Sequence, residues 1–214
     1  MTDFCGKRRF TLMRILVACE CSGEFRDALI ALGHDAISCD LKPTRKPGPH
    51  YQGDVRDILY DHWDGLIAHP VCRRLANSGV RWLHERPEYW PEMEKGAEFF
   101  KLFLNARHIK RRAVENPVMH GHALKLVGRK ADQFVQPWWF GDPFKKATGW
   151  WLDGLPKLVR THQITDYAPG EIKAECHLMT PGPDREEKRS KSYPGHARVA
   201  TLQWFGNADP AIAA

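Results

Sequence analysis

The feature that most constrains the fold is the chain's opening unit. Ile15-Leu16-Val17-Ala18-Cys19 is a short, unbroken apolar run, followed at once by Glu20-Cys21-Ser22-Gly23. An apolar run of that length, bounded by a turn signal, is the pattern of a parallel strand buried on both faces. Glu24 to Gly33 comes next, with Phe25, Leu29 and Leu32 at helical spacing and Gly33 as the stop. Ala36-Ile37-Ser38-Cys39 is a second strand, and it ends in Asp40. Strand, glycine turn, helix and strand with a terminal acid make a βαβ unit. That unit predicts an α/β, Rossmann-like sheet with helices on both faces.

The rest of the chain extends the same alternation. After a Pro/Gly/Lys loop over 42–50, Asp54 to Ile58 is a short element, and Trp63 to Ala68 reads as a buried strand ending at His69-Pro70. An amphipathic stretch over 88–108 carries Met93, Ala97, Phe100, Leu104 and Ile109 near helical spacing. Ala113-Val114 is a brief strand that ends in Glu115-Asn116-Pro117. A helix over 120–131, strands over 134–140 and 147–152, and a closing helix from His196 to Trp204 follow. Residues 160–195 are polar and rich in Pro, Gly and charge, which predicts a loop or mobile segment. Residues 1–12 read as an extension, and 13–214 as a single domain, the usual expectation for 214 residues.

Several function classes fall away. No apolar stretch reaches the length of a membrane span, and no apolar segment follows the basic residues near the N-terminus. A cytoplasmic protein without membrane contact is therefore expected. The six cysteines, at 5, 19, 21, 39, 72 and 176, form no paired CxxC framework and read as reduced thiols. Cys176-His177 is the only adjacent Cys/His pair, so no metal site is expected. Lys plus Arg exceed Asp plus Glu, 32 against 26, a mild bias toward a polyanionic partner such as nucleic acid. The arginine pairs at 73–74 and 111–112 read as solvated surface. Trp138, Trp139, Trp150 and Trp151 read as core or hairpin packing.

In an open parallel sheet, ligands bind beyond the carboxyl ends of the strands. Four segments put polar residues there: Glu20 to Gly23, Asp40, His69 to Cys72, and Glu115 to Pro117. Gly23 lets the backbone approach a ligand, and an acid ending the second strand accepts from ribose hydroxyls. The GxGxxG pyrophosphate fingerprint is absent. A nucleoside without phosphates, such as S-adenosylmethionine, fits better than NAD or FAD, and a plain tight turn remains the alternative.

The segments LVACECSGEFRDAL, SCDLKP, GDVRDI, Pro70-Val71-Cys72 and Glu115-Asn116-Pro117, in this order, resemble the cytosine 5-methyltransferases. AHPVCRRLANSGVRWL, ENPVMH, WWFGDPFKKATGWWLDGLP and SYPGHARVATLQW resemble, more narrowly, small phage and prophage DNA cytosine methyltransferase-like proteins. The likeness runs from Met13 to Trp204. It implies a class I S-adenosylmethionine-dependent methyltransferase sheet and methyl transfer to carbon 5 of cytosine in DNA. Cys72 would be the nucleophile at carbon 6, and Glu115 would hold the ring at N3 and its amino group and protonate N3. Glu20, Cys21, Ser22, Gly23, Phe25 and Pro70 would line the cofactor site. Asp40 would take the ribose and Asp54 the adenine amino group, with Asp57 competing for that last role. Such a protein would work in a bacterial host cytosol, in DNA modification or restriction evasion.

The chain also departs from the family pattern. Pro-Pro-Cys is replaced by Pro70-Val71-Cys72, and Arg73-Arg74 follow directly; they would lower the thiol's pKa if turned toward the pocket. The family's Gln-x-Arg-x-Arg falls on Phe144 to Thr148, where Lys146 is left as one positive donor. Residues 156–190 are too few for a target-recognition domain, so DNA contact is expected to be weakly sequence-specific, unless a protein partner supplies recognition. Two other readings stand beside the first: a non-catalytic binding module of the same fold, and an enzyme that modifies a free cytosine nucleotide.

Overall fold

The computed structural model describes residues 11–174 and 192–206. The first ten residues of the expected extension, and residues 175–191 of the loop expected over 160–195, lie outside the described residues. The strands are β1 (Arg14–Ala18), β2 (Asp35–Asp40), β3 (His50–Gln52), β4 (Gly65–Ala68), β5 (Arg111–Pro117), β6 (Gln133–Val135) and β7 (Thr148–Asp153). The helices are α1 (Glu24–Ala31), α2 (Arg81–Glu85), α3 (Trp90–Leu104), α4 (Gly121–Val127) and α5 (Pro194–Phe205). One seven-stranded sheet has the order β3-β2-β1-β4-β5-β7-β6. Neighbours from β3 to β5 pair in parallel, and β7 runs antiparallel to both β5 and β6.

The apolar runs read from the sequence become strands because both faces are covered. Ile15 and Val17 face one way, against Phe25 and Leu29 of α1 and Val199, Trp204 and Phe205 of α5. Leu16 and Ala18 face the other way, with Phe100 and Phe103 of α3 and Ala123 of α4. Trp150 and Trp151, adjacent on β7, enter opposite layers and are fully buried. Each such ring contributes roughly 1.5–3 kcal/mol or more on leaving water.

Three expectations change. The predicted strand over 134–140 stops at Val135, because Pro137 has no N–H for a ladder; Pro137–Phe140 form a 3-10 turn instead. The brief strand at 113–114 extends from Arg111 to Pro117, so Glu115 lies within a strand, paired with Trp150. Neither arginine pair is merely solvated. Arg112 is buried on Asp153 at 3.1 Å, and Arg74 bonds Glu92 at 2.8 Å.

Asp142 closes the fold from a distance. Its carboxylate accepts from the N–H groups of Gly195 (3.1 Å) and His196 (2.7 Å), the first-turn donors of α5. A Cβ on Gly195 would lie 2.8 Å from the same carboxylate, so the close approach requires glycine there. Among the described residues no helix is long and apolar enough to cross a membrane.

Candidate active site

The carboxyl edge of the sheet collects the polar residues. The ladder continues past β4 through His69, whose N–H bonds Ala18 O at 2.9 Å. The chain then turns through Pro70, Val71 and Cys72, and the amides of Leu75 and Ala76 fold back onto Cys72 O, each at 3.0 Å. This loop is joined to the segment that ends β5. Asn116 Nδ2 donates to Pro70 O (3.4 Å), Asn77 N to Val118 O (2.7 Å) and His120 N to Leu75 O (3.1 Å). The His120 ring does two jobs. Nδ1 accepts from Ala123 N at 3.1 Å and caps α4, so Nε2 carries the hydrogen and donates to Arg74 O at 2.9 Å. Burial lowers its pKa, which suits the neutral form this geometry needs.

Glu115 faces an open cleft lined by Phe25, His69, Lys146, Trp150, Tyr193 and His196, among others. His69 Nδ1 lies 3.1 Å from Glu115 Oε2. Burial alone would raise the Glu115 carboxyl. The His69 hydrogen bond and the positive charge of Lys146 outweigh it and hold the group below the usual carboxylate range. His196 is the back wall, stacked on Phe140 at 4.9 Å. The Trp150 indole can only donate, so His196 Nε2 accepts from it at 3.3 Å. Burial pushes the His196 imidazole down to about 3, so it is neutral at ordinary pH.

Cys72 is half-buried and carries a thiol rather than a disulfide. It is not among the residues lining the Glu115 cleft. Arg74 turns away from that cleft: its guanidinium stacks on Tyr89 at 3.4 Å and bonds Glu92. Arg73 is exposed. The Arg74 contribution to thiol activation expected from sequence is therefore directed elsewhere. Lys146 reaches Glu115 electrostatically, and its Nζ lies 5.7 Å from the Tyr193 ring centre.

At the other half of the edge, Cys19 adopts φ 57°, a left-handed conformation uncommon outside glycine. The turn lets Glu20 N bond Cys39 O at 3.0 Å. The buried Glu20 carboxylate accepts from Gly23 N at 2.9 Å and from the Ser22 hydroxyl, so it shapes the turn from within. Cys21 O accepts from Arg45 N at 2.8 Å. Phe25 lies beneath this turn and packs on His69 at 4.9 Å, so it belongs to the Glu115 cleft. Arg26, which sequence reasoning passed over, is wholly buried: it binds Ser38, Thr44 and the carbonyls of Lys46 and Pro47. That clamp fixes loop 42–50 over the Gly23 turn.

Asp40 uses Oδ1 on Lys42 N at 2.9 Å, and Oδ2 has no hydrogen bond among the described residues. An acceptor oxygen at the end of β2 fits a ribose diol. Asp54 has both oxygens on Arg56, at 2.9 and 2.8 Å, and Asp57 holds the Tyr51 hydroxyl at 2.9 Å. Asp54 would have to share or exchange a protein partner to take an adenine amino group, whereas Asp57 keeps Oδ1 without a hydrogen bond among the described residues. Among the described residues no cluster of His, Cys, Asp and Glu is arranged to hold a metal ion.

Strand order, the single reversed strand β7 and helices on both faces define an α/β, Rossmann-like sheet. The sequence matches no protein-family model, and no curated protein aligns with it significantly. Among solved structures, the methyltransferase EhMeth of Entamoeba histolytica superposes with a TM-score of 0.49 at 11% identity, over 72% of this chain and 57% of its own. The Dnmt2 methyltransferase of S. pombe gives a TM-score of 0.41 at 13% identity, over 81% of this chain and 61% of its own. The chain thus spans less than two thirds of the length of either protein.

Proposed function

We propose that the protein transfers a methyl group from S-adenosylmethionine to carbon 5 of cytosine, in DNA contacted with little sequence preference. The observation that carries this reading is the joining of the Cys72 loop to the Glu115 strand at the ligand edge, with Glu115 facing a cleft. When bound, S-adenosylmethionine supplies the electrophilic methyl group; Asp40 and the Glu20–Gly23 turn would hold it.

Carbon 5 of cytosine is a poor nucleophile until the ring's conjugation is broken. Addition of the Cys72 sulfur to carbon 6 breaks it, provided N3 takes a proton as charge builds there. Glu115 is ionised in the resting cleft, so it first accepts from the base's amino N–H. The thiol gives up one proton and N3 gains one, with Glu115 passing it on. Once carbon 5 has taken the methyl group, loss of its own proton and expulsion of the Cys72 sulfur restore the ring and free the protein, and N3 gives its proton back. A base in a duplex would have to leave the stack to reach the cleft.

The test is incubation with labelled S-adenosylmethionine and mixed DNA, followed by digestion to nucleosides. Label on 5-methylcytosine supports the reading, and label on a free nucleotide only would move the substrate. Cys72→Ser should remove transfer, and DNA carrying 5-fluorocytosine should be trapped as an adduct through Cys72. Full activity in Cys72→Ser would eliminate the covalent route. A second reading, a non-catalytic module of this fold, is favoured by two observations: Arg74 turns toward Glu92, and Cys72 lies off the cleft lining. No label on any base, with cofactor binding intact, would select it.

A further inference from the structure

Glu115 occupies a place where a carboxylate would not stay charged unaided. Phe25 from α1 and Trp150 from β7 wall the cleft with apolar surface, and His196 from α5 is a neutral ring. Tyr193, just before α5, adds a phenol. Lys146, from the loop before β7, adds positive charge. His69 stands within hydrogen-bond distance of the carboxylate, at 3.1 Å. Its ring is fixed between Phe25, at 4.9 Å, and the edge of Trp150, at 5.8 Å. A carboxylate only accepts, so Nδ1 carries the hydrogen of this pair. His69 Nε2 is buried and has no hydrogen-bond partner among the described residues. Among the described residues the ring's one hydrogen bond is thus to Glu115.

We propose that His69 is a positioning residue for Glu115: its Nδ1–H, aimed by the two flanking aromatic rings, holds Oε2 and leaves Oε1 as the acceptor offered to a ligand. Lys146 alone would not fix the direction of the carboxylate. A lysine is a point charge on a flexible stem and fixes no carboxylate plane, whereas a packed imidazole N–H has one direction. The base as ligand rests on the function proposed above; the His69–Glu115 relation can be measured without it.

The experiment is a pH titration of the Glu115 side-chain carboxyl by 13C NMR in labelled protein without ligand, the resonance being assigned by its loss in Glu115→Gln. Two variants divide the roles of His69. His69→Phe keeps a ring against Phe25 and Trp150 and removes the donor. His69→Asn loses the ring and keeps an N–H near the position of Nδ1. The wild-type midpoint should lie below about 4.3, the ordinary glutamate value. It should rise by about one pH unit or more in His69→Phe and stay low in His69→Asn. A wild-type midpoint at or above the ordinary value, an unchanged one in His69→Phe, or a His69→Asn that behaves like His69→Phe would each overturn the proposal. The first of these needs no variant to fold. In methyl-transfer assays the acid limb should move to higher pH in His69→Phe only, because Glu115 must be ionised to accept. Absence of transfer in the wild type would refute the proposed function while leaving the NMR result to stand.

Discussion

Replacing Asp142 by alanine should destabilise the protein measurably, though the residue sits 54 positions from the helix turn it serves. The first turn of α5 has Pro194 near its start, and the N-cap residue Tyr193 does not cap it with its side chain. Asp142 therefore supplies the cap, through bonds of 3.1 and 2.7 Å to Gly195 and His196. Loss of a cap costs about 1 kcal/mol, with about 2 kcal/mol at the upper end. Two features place Asp142→Ala near the upper end: His196 N is buried and would be left without a partner, and the helix behind it carries Trp204 and Phe205 into the core. For a chain of this size, about 2 kcal/mol lowers Tm by roughly 4–8 °C. Asp142→Asn keeps one acceptor oxygen and should lose about half as much. Thermal unfolding followed by circular dichroism reads both. A fall of less than about 1 °C in Asp142→Ala, or identical falls in the two variants, would refute the capping argument.

S-adenosylmethionine or its demethylated product should raise Tm, as any ligand of the native state does, and Asp40→Ala should abolish most of the rise; no shift at millimolar ligand counts against a nucleoside site. DNA affinity should drop steeply with added salt and vary little with sequence, because the contacts are with phosphates. Tight binding to one short sequence at high salt would contradict this. Stability should decline as pH falls below about 6.5, where the unfolded chain's histidines take up protons that His196, folded at about 3, does not. His196→Gln should flatten the unfolding free energy between about pH 6.5 and pH 5, a window above the carboxylate titrations; an unchanged slope would show that His196 does not set it.

The architecture was legible wherever one local pattern decided it. Strands β1 and β4 hold continuous apolar runs, and α3 repeats Met93, Ala97 and Phe100 on its buried face, so local pattern alone places them. Reading failed where a long-range partner decides the outcome. Arg26 is a charged residue early in a helix, which reads as solvated; only loop 42–50 folding over it makes it a buried clamp. His69 carried no local signal, because its partner Glu115 lies 46 residues away; His120 caps α4 locally, but its second partner, Arg74 O, is also 46 residues away. The candidate site was legible as a set of strand ends, through the edge rule for parallel sheets and the family resemblance. The direction of each side chain was not: Arg74 has Tyr89 and Glu92 within reach, a fact about folded neighbours rather than sequence spacing.

The reversal of β7 has a consequence for how such a protein can diversify. Thr148, its first residue, pairs with Pro117, the last of β5, whereas Asp153 pairs with Arg112 near the start of that strand. β6 ends with Val135 opposite Thr148, so the whole connection 136–147 lies at the ligand edge and delivers Lys146 there. The chain beyond Asp153 leaves at the opposite edge, roughly 20 Å away by strand rise. Lengthening 143–147, beyond the Asp142 cap, would remodel the Glu115 cleft without touching β1 and β2. Lengthening the chain just past Asp153 would add bulk where no ligand reaches. One inverted strand thus separates the evolution of what the cleft accepts from the evolution of the half of the sheet that would hold the cofactor.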